Sequence, residues 1–498
     1  MTERVSALDL LLLFFILNLV LQPPVDPDFG WHLRAGIDLI EHGWQMPATD
    51  PYSHTVPEWP WVEHAWATDG LLAMIYTAMG SAGSLGIILL FAAITAAAFL
   101  IIAGLSQAGR TPRLLAVAAA LWVALPFLGA RTQMITLLGL AILLRLIGAY
   151  QAGRLPHLWV VPLLFLAWAN LHGGFTAGLF VLGLILVSAA AVRVLVDRLP
   201  HLAVRLQEPA LAWPGVVHVA LVLLLAALVT LINPYGWRLH AEIVKSLTDR
   251  FMIETLHEWQ PVSLSTKAGT VYVGYLCVLA VLMLGMYRRI EPVRWVLLSI
   301  FLFLSLKHWR NVPFFLLVSA PVAADVLGEL RGLAARLGTT PHVRYAGFVA
   351  ALALAGSMVL LGPDHLQRVA QAGLAPAAFF HETDYPIEAV GWIKTHRERL
   401  GSRLYNDYGD GGFLLWWLPG EKIFIDGRMP AWRIGERWIF YDYAALALWD
   451  PPKVRVLDKY NVDWAIVGRN SLLDEALEQN PGWKEAYSDK KVTIYVRR

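Results

Sequence analysis

The chain has 498 residues, of which 57% are hydrophobic and only 16% charged, and its mean hydropathy is +0.53. Soluble domains carry about a quarter charged residues, so this composition excludes an ordinary soluble protein and points to a polytopic membrane protein with some soluble mass. The formal net charge of +2 is small and scattered, which argues against nucleic acid as a partner, and the single cysteine, Cys277, excludes an intrachain disulfide and a cysteine-based metal site.

Taken in order, the chain opens on an apolar segment, Ala7 to Leu21. It is followed by Gln22-Pro23-Pro24 and not by a small-residue cleavage site, so it reads as a retained first span. By the criterion of about 20 apolar residues per span, roughly eleven candidates follow: 7–22, 83–105, 112–129, 133–150, 157–171, 173–195, 214–233, 269–287, 293–307, 311–327 and 344–362. The segment 66–80 is apolar but short, and is expected to lie in the membrane interface. Alternate loops are rich in arginine: Arg110 and Arg113; Arg154; Arg193, Arg198 and Arg205; Arg288, Arg289 and Arg294; Arg331, Arg336 and Arg344. That bias places the N-terminus inside and the C-terminus outside, so the first long loop and the C-terminal tail are expected on one side, the outer one.

From about Gly362 the long apolar runs stop. A helix is expected over 386–400, with further helices over 434–447, 451–460 and 470–479. Short strands are expected over 403–406, 422–426, 464–467 and 492–496. Strands alternating with helices suggest a small α/β domain. The expected fold class is therefore mainly α, a polytopic membrane domain over 1–365 with a first outer loop at 23–82, joined to a C-terminal α/β domain over 380–498.

The polar groups concentrate in the first loop, Val25 to Trp66. It holds Asp26, Asp28, Asp50, Glu63, four histidines including His32 and His64, and five tryptophans. A carboxylate beside apolar surface has its pKa raised by desolvation and lowered by a cation; Asp28, Asp26 and Asp50 are the candidates for a general base on an attacking hydroxyl. With Asp28 as N-cap of a helix over 29–42, His32 lies one turn along. Glu63 and His64, with His32, are candidates to hold a divalent cation or to polarise a hydroxyl. The tryptophans suit both sugar C–H faces and the headgroup layer.

Cations recur at the expected outer ends of spans: Arg131, His172 in Asn170-Leu171-His172-Gly173-Gly174, and Lys307, His308 and Arg310 in one turn. Arginine binds phosphate bidentately, although interfacial cations also snorkel at little cost. Two glycine-rich turns, Tyr405 to Gly412 and Ile425-Asp426-Gly427-Arg428, are expected as exposed strand ends. The first of them lacks the P-loop lysine.

The ordered set Asp-Pro-Asp-x-x-Trp-His (26–32), Asp-Pro-Tyr-Ser (50–53), Trp-Val-x-His-x-Trp (61–66), Trp-Ala-Asn-Leu-His-Gly-Gly (168–174), Asn-Pro-Tyr-Gly (233–236), Arg-Asn-Val-Pro (310–313) and Asn-Asp-Tyr-Gly (406–409) resembles a group of bacterial multi-span proteins similar to the GT-C glycosyltransferases of the protein mannosyltransferase and aminoarabinose transferase types. The resemblance covers nearly the whole chain. It implies a glycosyltransferase of the bacterial plasma membrane with an outer first loop, an essential acidic residue matched by Asp28 or Asp26, and a polyprenyl-phosphate-linked sugar donor. It implies a lipid, glycan or protein acceptor bearing a hydroxyl, and in some members a divalent cation, Mg²⁺ or Mn²⁺. The cations named above would then hold the donor phosphate. Two positions depart from the pattern: His64-Ala65-Trp66 stands where relatives read His-Glu-Trp, so a second carboxylate must come from Glu63, Asp50 or Asp69, and Arg131-Thr132-Gln133 replaces Arg-Pro-Gln. The alternative is a non-catalytic protein that binds or moves a lipid-linked glycan. A secondary transporter is disfavoured, because no repeated halves are visible.

Overall fold

The computed structural model describes residues 5–23, 26–201, 210–284, 292–336, 367–373, 380 and 385–498. In chain order its first fourteen α-helices are α1 (Ala7–Val20), α2 (Phe29–Glu41), α3 (Trp66–Met79), α4 (Gly83–Ala103), α5 (Arg110–Ala124), α6 (Gln133–Gln151), α7 (Val161–Leu171), α8 (Phe175–Arg198), α9 (Trp213–Val229), α10 (Trp237–Thr248), α11 (Arg250–Thr255), α12 (Lys267–Met283), α13 (Pro292–Lys307) and α14 (Val312–Arg336). Two compact units result. One comprises Met1–Pro23, Ile88–Gly236 and Leu256–Ala370; the other comprises Pro24–Ile87, Trp237–Thr255 and Gln371–Arg498.

The first unit is a helical bundle. Among the described residues, five helical stretches are long and apolar enough to cross a membrane: Trp66–Ala103, Arg110–Phe127, Gln133–Gln151, Phe175–Arg198 and Trp309–Leu333. Four more apolar helices, Ala7–Val20, Val161–Leu171, Trp213–Val229 and Lys267–Met283, are shorter. The expected count of about eleven spans is thus not reached by length and composition, and the expected span 344–362 lies outside the described residues. The segment 66–80 is also longer than expected, because α3 continues through a 3₁₀ turn at Gly80–Ala82 into α4. Glycine sets the closest approaches in the bundle. A Cβ on Gly139 of α6 would lie 2.6 Å from the Trp168 ring of α7, and one on Gly174 would lie 2.0 Å from Thr136 Oγ1.

In the second unit, α2 packs between α3 and a helix at Gly411–Trp417. Small residues permit it: a Cβ on Gly30 would lie 2.1 Å from the Gly412 carbonyl oxygen, and one on Gly36 would lie 2.0 Å from the Asp69 carbonyl oxygen. Asp28 does precede α2, but its side chain makes no capping bond and its backbone is already helical. Instead its N–H donates to Asp26 Oδ1 at 3.1 Å, so Asp26 organises the turn in place of the expected Asp28 cap.

The strands are β1 (Leu404–Tyr405), β2 (Arg433–Ile434), β3 (Arg437–Trp438), β4 (Trp464–Gly468), β5 (Trp483–Ser488) and β6 (Val492–Arg497). β1, β4, β6 and β5 form a four-stranded sheet in that order, parallel at β1–β4 and antiparallel elsewhere, and β2–β3 is a separate hairpin. Strand β5 was not expected, since most of its residues are solvent-exposed and lack an apolar alternation. The expected strand 422–426 forms no ladder. Ile423 bridges Ser53 of the first loop, and the Asn406 side chain takes up the neighbouring backbone, accepting from Phe424 N at 2.9 Å and donating to the Ile425 carbonyl at 2.8 Å.

Candidate functional site

In the second unit, α2 and α3 bring three buried groups together. His32 Nδ1 lies 2.7 Å from Asp69 Oδ1, and a ligand atom from each of His32, Glu63 and Asp69 falls within 4.8 Å of the others. All three are less than 5% exposed. Glu63 Oε1 accepts from Ala65 N at 2.9 Å, while Asp69 Oδ2 is buried with no hydrogen-bond partner. Burial, reinforced by the charge of Asp69, pushes the Glu63 carboxyl up to about 8. Burial likewise lowers the His32 imidazole, against the pull of Glu63, Asp28 and Asp26. A neutral imidazole and two desolvated carboxylates, one with an orphaned oxygen, suit a hard or borderline divalent cation such as Mg²⁺ or Mn²⁺. His64, half exposed, borders the cluster, with its Nδ1 3.5 Å from Glu63 Oε1. Of the three, only Asp69 was passed over as a primary candidate; an acidic residue in the apolar run 66–79 was the signal.

A second buried knot lies beside it. Arg428 donates from Nη1 to Asp50 Oδ1 at 2.7 Å and from Nε to both Asp426 oxygens, at 3.0 and 2.9 Å. Four aromatic rings surround the guanidinium, those of Trp31, Tyr52, Trp61 and Trp432, with centroids 5.0–5.7 Å away. Asp50 also accepts from the Ser53 and Tyr52 N–H groups. Burial would raise its carboxyl, but Arg428 and Ser53 outweigh burial and hold it below the usual range. The turn expected to be an exposed strand end is therefore corrected: Asp426 is fully buried and the Arg428 side chain is 5% exposed. Sequence reasoning missed Arg428 because its partner lies in the first loop. The carboxylate of Asp28 rests on the same turn, since a Cβ on Gly427 would come within 1.8 Å of Asp28 Oδ1.

The cluster opens into a cavity of about 290 Å³. Glu63 and Asp69 form one side, Tyr52, Trp61 and Trp66 line its walls, and Asp38 accepts from the Tyr52 hydroxyl at 2.7 Å. Aromatic walls with a few convergent polar groups are the usual lining of small-molecule sites.

The first unit brings His172, and the segments that carry the other expected cations, near the N-terminal turn of α6. His172 Nδ1 lies 2.6 Å from Thr136 Oγ1 and accepts from Gly174 N at 3.1 Å, which leaves its Nε2 as the proton-bearing donor. Gln133 Nε2 donates to the Arg310 carbonyl at 3.2 Å, and Phe127 packs on Trp309 with centroids 4.8 Å apart, so the loop carrying Arg131 adjoins the turn carrying Lys307, His308 and Arg310. His308 Nδ1 is 2.6 Å from the Trp259 carbonyl, Arg310 pairs with Glu258 at 3.3 Å and stacks over Trp259, and Lys307 is exposed.

No protein-family model and no curated protein matches the chain. Among solved structures it is similar to the oligosaccharyltransferase of Archaeoglobus fulgidus. The form tethered to an acceptor peptide containing the NVT sequon aligns at 13% identity and TM-score 0.52, over 98% of this chain and 74% of that one. The AglB complex with an inhibitory peptide and a dolichol-phosphate aligns at 11% and 0.55, over 93% and 69%. The apo form aligns at 11% and 0.51, over 100% and 75%. The chain thus has the fold of these proteins.

Proposed function

We propose that this protein is a membrane glycosyltransferase that moves a sugar from a polyprenyl-phosphate-linked donor to a hydroxyl group of a lipid, glycan or protein acceptor. The observation that carries the reading is the buried His32–Glu63–Asp69 cluster opening into an aromatic-walled cavity in a chain of this fold. The neighbouring oligosaccharyltransferase has been captured with dolichol-phosphate and with peptides, which makes a lipid-linked donor the natural class here. In the transfer, Asp28 takes the proton of the acceptor hydroxyl as that oxygen bonds to the sugar C1. The C1–O bond to phosphate breaks, and the phosphate leaves with the electron pair. We assign Arg131, His172, Lys307, His308 and Arg310 to the donor phosphate, because cationic donors stabilise the negative charge that develops on it. In this reading the first loop and a C-terminal domain over 380–498 lie on the extracytoplasmic side of a bacterial plasma membrane, as the arginine bias of the loops implies.

His32, Glu63 and Asp69 would hold a divalent cation, which when bound would supply positive charge to the reaction. Asp50, consumed by Arg428, orients the loop and Asp26 sets the turn that presents Asp28.

The direct test is turnover. Purified protein in nanodiscs with Mn²⁺ is expected to release polyprenyl phosphate from radiolabelled polyprenyl-phosphate sugars and to pass the label to a hydroxyl acceptor. Tight lipid binding with no sugar consumption would select the non-catalytic alternative. Replacing Arg131 and Arg310 with alanine is expected to raise KM for the lipid donor about tenfold or more, with a smaller change in kcat.

Proton and metal compete at Glu63. A carboxyl whose pKa is higher in the fold than its ordinary 4.5 favours the fold while protonated, and that contribution drains away as pH rises towards about 8. Metal-free protein is therefore expected to lose stability between pH 5 and 8, by at most about 1.4 kcal/mol per unit from this group. Mn²⁺ affinity should rise with pH over the same window. Glu63→Gln should flatten both trends in thermal melts and Mn²⁺ titrations; equal slopes in the two proteins would remove Glu63 from the cation site.

A further inference from the structure

The cavity of about 290 Å³ beside the His32–Glu63–Asp69 cluster is lined entirely by residues of the second unit. Its lining changes character from the buried end to the exposed one. Glu63 and Asp69 close the buried end. The wall is aromatic: Trp61 is buried, Trp66 is half-buried, and the Tyr52 ring meets Trp61 edge-on, with centroids 5.6 Å apart. The exposed end is polar, with His42 and Gln45 in solvent and Asp38 half-buried beside them.

Among the described residues no lysine or arginine lines this cavity. Arg34 is turned to Asp38, and Arg428, over the Tyr52 and Trp61 rings, is spent on Asp50 and Asp426. The lining side chains therefore do not suit a phosphate, which guanidinium and ammonium groups recognise. They offer flat apolar faces and unfilled hydrogen-bonding positions instead. Asp38 accepts from Arg34 with one oxygen and from the Tyr52 hydroxyl with the other, and a carboxylate has about four lone-pair positions in all. His42 Nδ1 donates to the Asp38 carbonyl at 2.7 Å, which leaves Nε2 to accept. The exposed end is also held in shape. Gly43 and Trp44 both have positive φ, 65° and 66°, and the Trp44 ring rests on Gly70, where a Cβ would lie 2.7 Å from it. A tryptophan persists in that region only where its surroundings hold it, and such strain gathers at ligand clamps.

We infer that this cavity seats one pyranose ring, its C–H face against the Trp61–Trp66 wall and its hydroxyls on Asp38, His42 and Gln45. A pyranose pairs an apolar face, which suits an indole, with a girdle of hydroxyls that both donate and accept. The volume stands at the lower end of the ~300–1,000 Å³ range of small-molecule sites, room for a single ring. The ring is either the sugar carried by the donor or the end of a saccharide acceptor. The inference rests on the transfer reading of this site and adds to it the chemical class that the cavity recognises.

The test is saturation-transfer NMR on the protein in nanodiscs with Mg²⁺, using the methyl pyranosides of glucose, galactose and mannose, and sorbitol as an open-chain control. At least one pyranoside is expected to bind about fivefold or more tighter than sorbitol, the difference being the ring face. Trp61→Leu and, separately, Gln45→Ala are each expected to weaken that binding about threefold or more. Gln45 is exposed, so its variant carries the test even if Trp61→Leu does not fold. Binding of every pyranoside at the sorbitol level would overturn the proposal. So would undiminished binding by Gln45→Ala, or displacement of the pyranoside by a serine-containing peptide. With a radiolabelled lipid-phosphate sugar present, a pyranoside that becomes labelled sits as acceptor, and one that raises KM for the donor without being labelled sits in place of the donor's sugar. Pyranoside binding without turnover would strike the transfer reading and leave the seat standing; turnover without pyranoside binding would do the reverse.

Discussion

Arg428→Gln will cost about 3–5 kcal/mol of stability, the range for removing one partner of a buried ion pair. The guanidinium meets two carboxylates that water does not reach, Asp50 and Asp426, and glutamine leaves both without a countercharge. Arg428→Lys will recover only part of the loss, because an ammonium does not reproduce the planar fork that serves Asp50 through Nη1 and Asp426 through Nε. Since Trp31, Trp61 and Trp432 surround the group, intrinsic fluorescence during thermal unfolding in detergent reads the effect directly. Asp50→Asn combined with Arg428→Gln should cost less than the sum of the single changes, as groups in one network couple. A melting temperature for Arg428→Gln within a degree of wild type would mean that the knot contributes nothing.

Asp28→Asn is expected to lower sugar transfer by about 10²–10⁴-fold, the usual worth of a general base. Its fold should survive: asparagine is isosteric, the Asp28 N–H bond to Asp26 Oδ1 does not involve the altered group, and no capping bond is lost. The informative comparison is Asp26→Asn, which removes charge next door but acts through the turn and should lose far less. Initial rates with a lipid-phosphate sugar, alongside melting temperature and lipid retention, separate the cases. Wild-type turnover by Asp28→Asn would transfer the role of base to another carboxylate, with Glu63 the first to examine.

How far the residues announced this arrangement depended on how local each signal was. The apolar runs of α5, α6 and α8 are read from composition because a span must satisfy its backbone within itself. The chemical weight of the first loop is equally plain from its density of acids, imidazoles and indoles. Long-range pairing is a different matter. Asp50 and Arg428 stand 378 positions apart, and nothing beside either says which charge it will meet, so the turn 425–428 looked like an exposed edge. Asp69 was hidden inside an apolar helix. The strand over 422–426 failed to form a ladder because Asn406 and Ser53 took up its backbone, a substitution that no propensity foresees. Cap preference also misled at Asp28, where Asp26 two residues earlier already held the turn.

The glycine at 427 has a consequence for how the molecule is made. Its missing side chain is what admits the Asp28 carboxylate, and the residue beside it neutralises Asp50, yet both carboxylates leave the ribosome hundreds of residues before that turn exists. At about 5–20 residues per second, Asp50 waits roughly 20–75 s for its counterion. A chain released before residue 428 therefore carries the acids of the first loop without the partners that lock them.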